Sequence, residues 1–453
     1  MPVVMPDATR DPCERDCDVL VIGGGPAGST IANLLARRGR DVLLLERDRH
    51  PRFHIGESLL PANVRLLEDL GVRDEIERIG LRKWGIEFIS PQHRHHAFFE
   101  FADAWDRGMP MAWQVRRAEF DEVLFRRAGA VGARSAEGCR VSQVAFDAEG
   151  ATFRVSTGGA MDRTLRARFV VDASGRDTLL ANQFELKQKS RAHNSAAIFG
   201  HFRGARRLQG KLEGNISIFW FAHGWFWFIP LADGTTSVGA VCWPHYLKSR
   251  DKPLREFFAD TIALAPELAE RLAGAELVDE RVHATGNYSY AATRGSGERH
   301  LMLGDAYAFV DPVFSSGVYL AMASAYAAEE LIERTLEVGP AAAAALRDRF
   351  DAHMRKGPRE FSWFIERMTH PAMRRLFMYS SNRLRTKEAV LGLLAGDIFG
   401  ATPLWGGLRM FKAMYYLVSL LMLPRAWWAW RRHRFDIRDV GEVKGENVMA
   451  PVR

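Results

Sequence analysis

Short runs of consecutive apolar residues begin and end the first predicted unit of the chain. Residues 19–22 and 42–45 are each uninterrupted apolar runs, as in parallel strands that are buried on both faces. Between them, residues 26–38 carry the apolar spacing of an amphipathic helix. The order strand, helix, strand predicts a βαβ unit.

Later segments predict two more buried strands, an inserted sheet and a long helix. The runs 169–172 and 301–305 are apolar and end in aspartate. Strand-like and turn-like residues alternate over about 85–112 and again over 194–245, which predicts an antiparallel sheet. Residues 318–337 are rich in Ala, Leu and Glu and predict a helix.

The most unusual pattern is W-F-W-F-I-P at residues 225–230. Because side chains alternate along a strand, Trp225 and Trp227 share one face and the two phenylalanines share the other. Pro230 has no N–H to donate and is expected to end the strand. The pattern therefore predicts a strand that is bulky and apolar on both faces.

Composition narrows the class of protein. The 453 residues are 47% apolar and 26% charged, as in an ordinary globular protein, and no run of 18 uncharged apolar residues predicts a spanning helix. Residues 1–16 have no apolar signal region and are predicted to be a disordered leader. The four scattered cysteines suggest free thiols in a reducing cytoplasm, with Cys13 and Cys17 in the tail. The net charge is +7, but no nucleic-acid-binding motif accompanies it, so no nucleic-acid partner is predicted.

A glycine-rich loop supplies the first candidate chemistry. Gly23, Gly25 and Gly28 form a G-x-G-x-x-G motif between the first strand and its helix. This arrangement permits a tight turn, close approach of a pyrophosphate and close packing of helix on strand. Glu46 ends the second strand, where a carboxylate can accept hydrogen bonds from a ribose. The fold class is thus predicted as α/β, with a Rossmann-type domain that binds NAD or FAD.

Three later motifs resemble the aromatic-hydroxylase class of flavoproteins and favour FAD. They are the segment from Arg117 to Asp121, the strand 169–175 and the element 303–305. The resemblance implies that Arg117 lies toward the flavin and that Asp305 binds the ribityl chain. Residues 172–175 replace the Asp-Gly motif of hydroxylases that consume NAD(P)H, which implies a separate flavin reductase as partner.

Three further segments resemble the flavin-dependent halogenases of the phenol and pyrrole branch, over roughly residues 17–380. Trp225, Trp227, Ile229 and Pro230 match the family's W-x-W-x-I-P signature, and residues 53–61 match its F-H-I-G-E-S segment. The resemblance implies that Ser58 hydrogen-bonds a flavin edge, and capping of the helix that starts near Pro61 is compatible with this role. Lys83 stands where the family carries its essential lysine. Either an ammonium at this position hydrogen-bonds hypohalous acid and polarises the halogen, or a neutral amine forms a haloamine; burial would lower the lysine pKa and make the second route accessible.

Residues 311–318 (D-P-V-F-S-S-G-V) predict an anion site before the long helix. By resemblance, the N–H groups of Ser316 and Gly317 hold chloride or bromide against the flavin. Simple capping of the helix by Ser315 or Ser316 is the alternative. Phe314 stands where tryptophan halogenases carry a glutamate, so the motif disfavours free tryptophan as substrate.

The resemblance implies an FADH2-dependent halogenase that uses O2 and halide to make hypohalous acid. That species would pass the tryptophan strand to reach Lys83 and then an electron-rich phenol or pyrrole, either free or bound to an acyl carrier protein. An aromatic monooxygenase, a prenyl or polyene reductase and a non-catalytic flavin-binding protein are the alternatives. The resemblance assigns FAD binding to Gly23, Gly25, Ala27, Gly28, Glu46, Arg47, Ser58, Arg117, Asp172, Asp305, Pro312, Gly317 and Val318.

The predicted domains follow these motifs. The core covers 17–384, with an FAD part (17–85, 112–190 and 281–345) and a substrate sheet (86–111 and 191–280). Residues 385–453 form an aromatic and basic helical region. For its segment 411–434, three roles stay open: a lid over the substrate channel, peripheral membrane contact, or docking of a carrier protein. No metal site is predicted, since the histidines at 93–96 lack ligand partners.

Overall fold

The computed structural model describes residues 12–437, except 109, 159–161, 191, 287–288 and 401–402. The strands are β1 Cys17–Ile22, β2 Val42–Glu46, β3 Leu81–Lys83, β4 Gly85–Ile89, β5 Ala97–Glu100, β6 Ala112–Gln114, β7 Arg134–Glu137, β8 Cys139–Phe146, β9 Ala151–Thr157, β10 Arg163–Asp172, β11 Lys187–Lys189, β12 Ala196–Arg203, β13 Ile216–Phe221, β14 Gly224–Pro230, β15 Thr235–Cys242, β16 Glu276–Leu277, β17 His283–Thr285, β18 Tyr290–Ala292, β19 His300–Met302 and β20 Ala308–Phe309. The helices are α1 Pro26–Arg37, α2 Pro61–Asp69, α3 Arg73–Ile79, α4 Arg117–Ala130, α5 Leu179–Gln183, α6 Pro244–Lys248, α7 Leu254–Ala263, α8 Pro266–Arg271, α9 Gly317–Val338, α10 Ala344–Ile365, α11 Pro371–Met378, α12 Thr386–Ala395, α13 Leu404–Leu421 and α14 Leu423–Asp436.

The first sheet contains the predicted βαβ unit. Its strand order is β7-β2-β1-β10-β9-β8, and β19 pairs with β10. Strands β1, β2, β7, β10 and β19 run parallel, whereas β9 is antiparallel to both of its neighbours. The apolar faces of α1 and α9 bury the sheet, which explains its continuous apolar strands. The Rossmann-type α/β prediction is confirmed.

The second sheet is the predicted insertion. Its order is β16-β12-β15-β14-β13-β4-β5, with β17 also paired to β12. All pairs are antiparallel except β13 with β4. One predicted boundary was wrong: β17 lies beyond residue 281 yet hydrogen-bonds to β12, so it belongs to this sheet and not to the FAD part. Such a short strand carries too little pattern to be placed from sequence.

The tryptophan strand, β14, lies in the middle of this sheet between β13 and β15. All seven of its residues are buried. Trp225, Trp227 and Ile229 pack into an apolar cluster shared with the C-terminal helices. Phe226 and Phe228 pack on the opposite face with side chains of α7 and α8. The prediction of two bulky apolar faces is confirmed.

The start of the described chain is held against the first sheet. Arg134 donates hydrogen bonds to the carbonyl oxygens of Pro12 (2.7 Å) and Asp16 (2.9 Å). Cys13 and Cys17 are buried, so the interpretation of these residues as tail thiols was wrong. Residues 12–16 therefore do not belong to a disordered leader. The rest of that predicted leader, 1–11, lies outside the described residues.

The C-terminal helices cover the second sheet on its tryptophan side. Leu404, Leu408, Phe411 and Tyr415 of α13 are buried and join the cluster that holds Trp225 and Trp227. Within the described part of the chain, no helix is both long enough and apolar enough to cross a bilayer. The predicted helical character of this region is confirmed as far as residue 436.

Candidate functional site

The glycine loop between β1 and α1 is shaped by close contacts that exclude side chains. A Cβ atom on Gly28 would lie 1.9 Å from the Gly23 carbonyl oxygen, and one on Gly23 would lie 2.4 Å from the Ala173 carbonyl oxygen. At Gly25, in contrast, the single atom within 4 Å of an added Cβ is Nη2 of Arg52, at 3.5 Å. The loop is therefore closely packed at Gly23 and Gly28 and open at Gly25, which leaves space for a pyrophosphate to approach the backbone.

Two charged side chains border the glycine loop. Glu46 is buried, and its carboxylate accepts hydrogen bonds from the backbone N–H groups of Gly24 (2.8 Å) and Asp48 (3.0 Å). Arg52 forms ion pairs with Glu46 (3.3 Å) and Asp121 (3.2 Å). The sequence placed Glu46 correctly at the end of β2. It missed Arg52, which lies in an irregular loop without any periodic signal.

Arg117 fixes the loop that contains the F-H-I-G-E-S segment. Its guanidinium donates to Asp121 (2.8 Å) and to the carbonyl oxygen of Ile55 (3.0 Å). The neighbouring His54 bonds to the same carbonyl at 2.7 Å, and burial lowers the pKa of His54 to about 3. His54 is consequently neutral at physiological pH and has a positioning role.

Lys83 ends β3 and is completely buried. Its Nζ donates hydrogen bonds to Ser58 Oγ (2.9 Å) and to the carbonyl oxygen of Leu59 (3.1 Å). Burial lowers the pKa of Lys83 to about 7, because the side chain loses its hydration and no counter-charge among the described residues offsets that loss. Near neutral pH the side chain therefore exists as a mixture of ammonium and amine.

In the loop 58–60, the structure differs from one role that the sequence allowed for Ser58, the capping of α2. Ser58 does not cap α2; its hydroxyl accepts the hydrogen bond from Lys83. The backbone N–H of Leu60 is instead bound by the side-chain oxygen of Asn63, at 3.0 Å. Ser58 thus connects the candidate flavin-facing segment to the lysine.

The tryptophan strand and Lys83 border the same apolar cluster. Nζ of Lys83 lies 5.3 Å from the ring centre of Phe101, and Phe101 belongs to the cluster that contains Trp225 and Trp227. The indole N–H of Trp227 donates to Ser237 Oγ at 3.1 Å, which fixes the ring orientation. Gly239 leaves room for that ring, since a Cβ there would lie 2.2 Å from it.

The segment before α9 has the features of an anion site. Ser315 adopts a left-handed backbone (φ +56°), and Ser316 precedes the first helical residue, Gly317. Neither serine caps the helix through its side chain. The buried Ser316 Oγ has no hydrogen-bond partner among the described residues, and an added Cβ on Gly317 would meet nothing within 4 Å. A donor and open space at a helix N-terminus suit a small anion.

A buried polar network supports this segment from the second sheet. Oδ2 of Asp311 accepts hydrogen bonds from Ser195 Oγ (2.7 Å) and His193 Nε2 (2.9 Å). The other oxygen of Asp311 accepts from the backbone N–H of Val313. Sequence reasoning missed this network, since Asp311 lies more than a hundred positions from His193 and Ser195.

Comparison with known proteins agrees with these features. The family model described as FAD binding domain matches residues 16–351. A tryptophan 2-halogenase of Chondromyces crocatus is 34% identical over 341 residues, which cover 73% of this chain and 64% of that relative. A 1H-pyrrole-2-carbonyl-[peptidyl-carrier protein] chlorinase of Pseudomonas fluorescens is 30% identical over 414 residues, covering 86% and 91% of the two chains. This chain belongs to the flavin-dependent halogenases.

A solved structure of the same family confirms the fold. The myxobacterial chondrochloren halogenase CndH, a variant of FAD-dependent halogenases, superposes with a TM-score of 0.73 at 32% identity and covers 90% of this chain and 97% of its own. FAD as cofactor is thereby confirmed. The chain spans slightly less than two thirds of the tryptophan 2-halogenase.

The remaining family positions have mainly local contacts in the structure. Asp172 is buried, which raises the pKa of its carboxyl, and it accepts from the N–H groups of Ser174 (2.9 Å) and Leu180 (2.7 Å). Burial also raises the pKa of Asp305, to about 6. Arg47 is exposed and pairs with Asp177. Direct contact of these three residues with FAD stays a prediction.

The histidines at 93–96 have other partners. His96 lies between the carboxylates of Glu87 (2.7 Å) and Glu267 (2.6 Å), and His95 bonds to the carbonyl oxygen of Met378. In the described chain, no three His, Cys, Asp or Glu side chains are grouped so as to hold a metal ion.

Proposed function

We propose that this protein is an FADH2-dependent halogenase of electron-rich aromatic rings. The observation that carries the proposal is Lys83, a buried lysine with a pKa near 7 that borders the tryptophan cluster. Reduced FAD, when bound, would supply two electrons to O2; chloride or bromide would supply the other two and become hypohalous acid, and the second oxygen atom would leave as water. A separate flavin reductase delivers the reduced cofactor.

The described residues fit this cofactor. The open glycine loop, with Arg52 above it and Glu46 beside it, suits a pyrophosphate and a ribose. Arg52 adds a cation that the family motifs did not indicate. The residues proposed to hold FAD are Gly23, Gly25, Ala27, Gly28, Glu46, Arg47, Arg52, Ser58, Arg117, Asp172, Asp305, Pro312, Gly317 and Val318.

Ser316 and Gly317 are proposed to bind the halide. The hydroxyl of Ser316 is buried and unpartnered, so an anion would satisfy it, and the first N–H groups of α9 point the same way as the helix dipole. Ser316→Ala should raise the KM for halide, whereas Ser315→Ala should leave it unchanged.

Lys83 is proposed to carry the halogen to the substrate. Its neutral amine attacks the halogen of hypohalous acid: the N–X bond forms, the O–X bond breaks, and the departing hydroxide takes a proton from nitrogen to give water. The aromatic carbon then takes the halogen as the N–X bond breaks, and the ring proton is lost to restore aromaticity; in the net balance one proton returns to nitrogen and regenerates the amine. Trp225, Trp227 and Ile229 exclude bulky substrates from the flavin side while hypohalous acid passes.

The proposed substrate is a phenol or a pyrrole. Phe314 is buried where tryptophan halogenases carry a glutamate, so the ring itself must stabilise the positive charge that develops on halogenation. A hydroxyl group or a pyrrole nitrogen does this. The relative that chlorinates a pyrrole on a carrier protein supports a carrier-bound form of the substrate.

Product analysis tests the proposal. Full-length protein is incubated with reduced FAD, O2, bromide and a panel of free and carrier-bound phenols and pyrroles. We expect a product with the bromine isotope pattern. Lys83→Ala should abolish it without weakening FAD binding, whereas Arg82→Ala, which changes the exposed neighbour paired with Glu77, should retain it. Hydroxylated or reduced products alone would contradict the proposal.

A further inference from the structure

Helices α13 and α14 follow each other directly and are joined at Met422, where the backbone leaves helical geometry (φ −104°, ψ 25°); we call this pair of helices the elbow. The inner side of the elbow is anchored. Ala426 is buried, and His433 packs edge-on against Trp243, with ring centres 4.8 Å apart. Together with the buried residues of α13, these contacts fix the elbow on the body of the protein.

The outer side of the elbow is apolar and exposed. At its tip, Leu420 is 63% and Leu421 is 76% exposed, and Trp428 is 64% exposed on the next helix. The same surface also presents Leu417, Leu423, Trp427 and Trp430. We call these seven residues the elbow surface. Isolated exposed leucines are common on proteins, but seven large exposed apolar side chains on two consecutive helices indicate an interaction site.

Basic side chains surround the elbow surface. Arg425, Arg431, Arg432 and Arg434 are exposed, and α13 and α14 together contain a single acidic residue, Asp436. The guanidinium of Arg431 lies 5.3 Å from the ring centre of Trp427, and that of Arg434 lies 4.9 Å from that of Trp430. Tryptophan beside arginine is the composition of segments that lie at the interface of a bilayer.

We propose that the elbow surface binds peripherally to a membrane that contains anionic lipids. The leucines at the tip would enter the acyl region, the tryptophans would lie at the headgroup level, and the arginines would contact lipid phosphates. This role does not depend on the proposed halogenation. It is compatible with a covering role of α13, because the two roles use opposite faces of that helix.

Charge and the placement of the apolar side chains favour lipid over protein partners. In a symmetric dimer the same basic side chains would face each other, and the like charges would repel. A folded acidic carrier protein would need one preformed surface that accommodates leucines and tryptophans from two helices. A fluid anionic bilayer matches the charge and accommodates these side chains without a preformed surface.

Vesicle sedimentation of the full-length protein tests this proposal. We expect binding to vesicles of phosphatidylcholine mixed with phosphatidylglycerol, and weaker binding to phosphatidylcholine alone or at high salt. Leu420→Glu with Leu421→Glu should reduce partitioning at least about tenfold. Arg431→Gln, Arg432→Gln and Arg434→Gln should each reduce binding to anionic vesicles about fivefold. Leu264→Glu, at an exposed leucine that directly follows α7, is the matched control and should bind like the wild type.

Three results would overturn the proposal. They are absence of binding to anionic vesicles, equal loss of binding in the control variant, and concentration-dependent dimerisation that Leu420→Glu with Leu421→Glu abolishes. The last result would assign the elbow surface to a second copy of the chain. Bound flavin absorbance, measured in every variant, verifies that the fold is intact.

Discussion

Replacement of Lys83 by methionine should stabilise the fold at neutral pH while it abolishes halogenation. Methionine has a similar length and no charge, so it removes the cost of a buried cation. Burial lowers the pKa of Lys83 from 10.5 to about 7. That difference corresponds to about 5 kcal/mol of unfavourable free energy when both the folded and the unfolded states are protonated.

Proton linkage gives the direction in which stability changes with pH and the pH range over which it changes. Between about pH 7 and 10.5 the unfolded chain binds the lysine proton and the folded chain does not, so wild-type stability rises with pH. The cost is about 4 kcal/mol at pH 7 and about 1 kcal/mol at pH 9.5. It is largest below pH 7 and vanishes above the unfolded-state pKa.

The hydrogen bonds that Lys83→Met loses reduce its gain in stability. Methionine leaves Ser58 Oγ and the Leu59 carbonyl without the donor that Lys83 provides, which costs about 1–3 kcal/mol. We expect Lys83→Met to be more stable than wild type by roughly 1–3 kcal/mol at pH 7.

The decisive readout is the pH dependence. Urea denaturation of both proteins with saturating FAD should show that the advantage of the variant falls by about 3 kcal/mol between about pH 7 and pH 9.5. Lys83→Arg, which keeps the charge, should show no such advantage at pH 7. A stability difference that does not change with pH would refute the argument that burial sets the pKa of Lys83.

Three other predictions concern the site. The kcat should rise with pH through about 7, measured between about pH 5.5 and 8.5, as Lys83 becomes neutral; a decline over that range would show that the ammonium is the active form. Gly239→Ala should lower the free energy of unfolding by about 1–3 kcal/mol. It should also release more hypohalous acid to a soluble scavenger, because the new methyl displaces Trp227; unchanged leakage would contradict this role. His193→Phe should lower the free energy of unfolding by about 2 kcal/mol and raise the KM for halide, because Asp311 loses a hydrogen bond. Ser195→Ala should show smaller effects of the same kind. An unchanged KM would show that Asp311 does not position the halide-binding segment.

The position of the glycine loop and of Glu46 was readable from sequence, because both depend on local pattern; their contacts with FAD stay predictions. The glycine loop requires small residues at fixed spacing, and Glu46 ends the strand that follows. Sequence reasoning missed Arg52, because its position beside Gly25 depends on the path of an irregular loop. The hydrogen bond between Ser58 and Lys83 was missed for a similar reason, since the fold brings together two residues that lie 25 positions apart.

By itself, the sequence determined the elements and their faces. Backbone periodicity is a local property, so alternation along residues 225–230 was enough to place two tryptophans on one face and two phenylalanines on the other. Tertiary structure alone decided what those faces contact and how charged groups behave. The pKa of Lys83, the pairing of Asp311 with His193 and the exposed elbow surface all depend on which distant segments exclude water, and no local pattern encodes that.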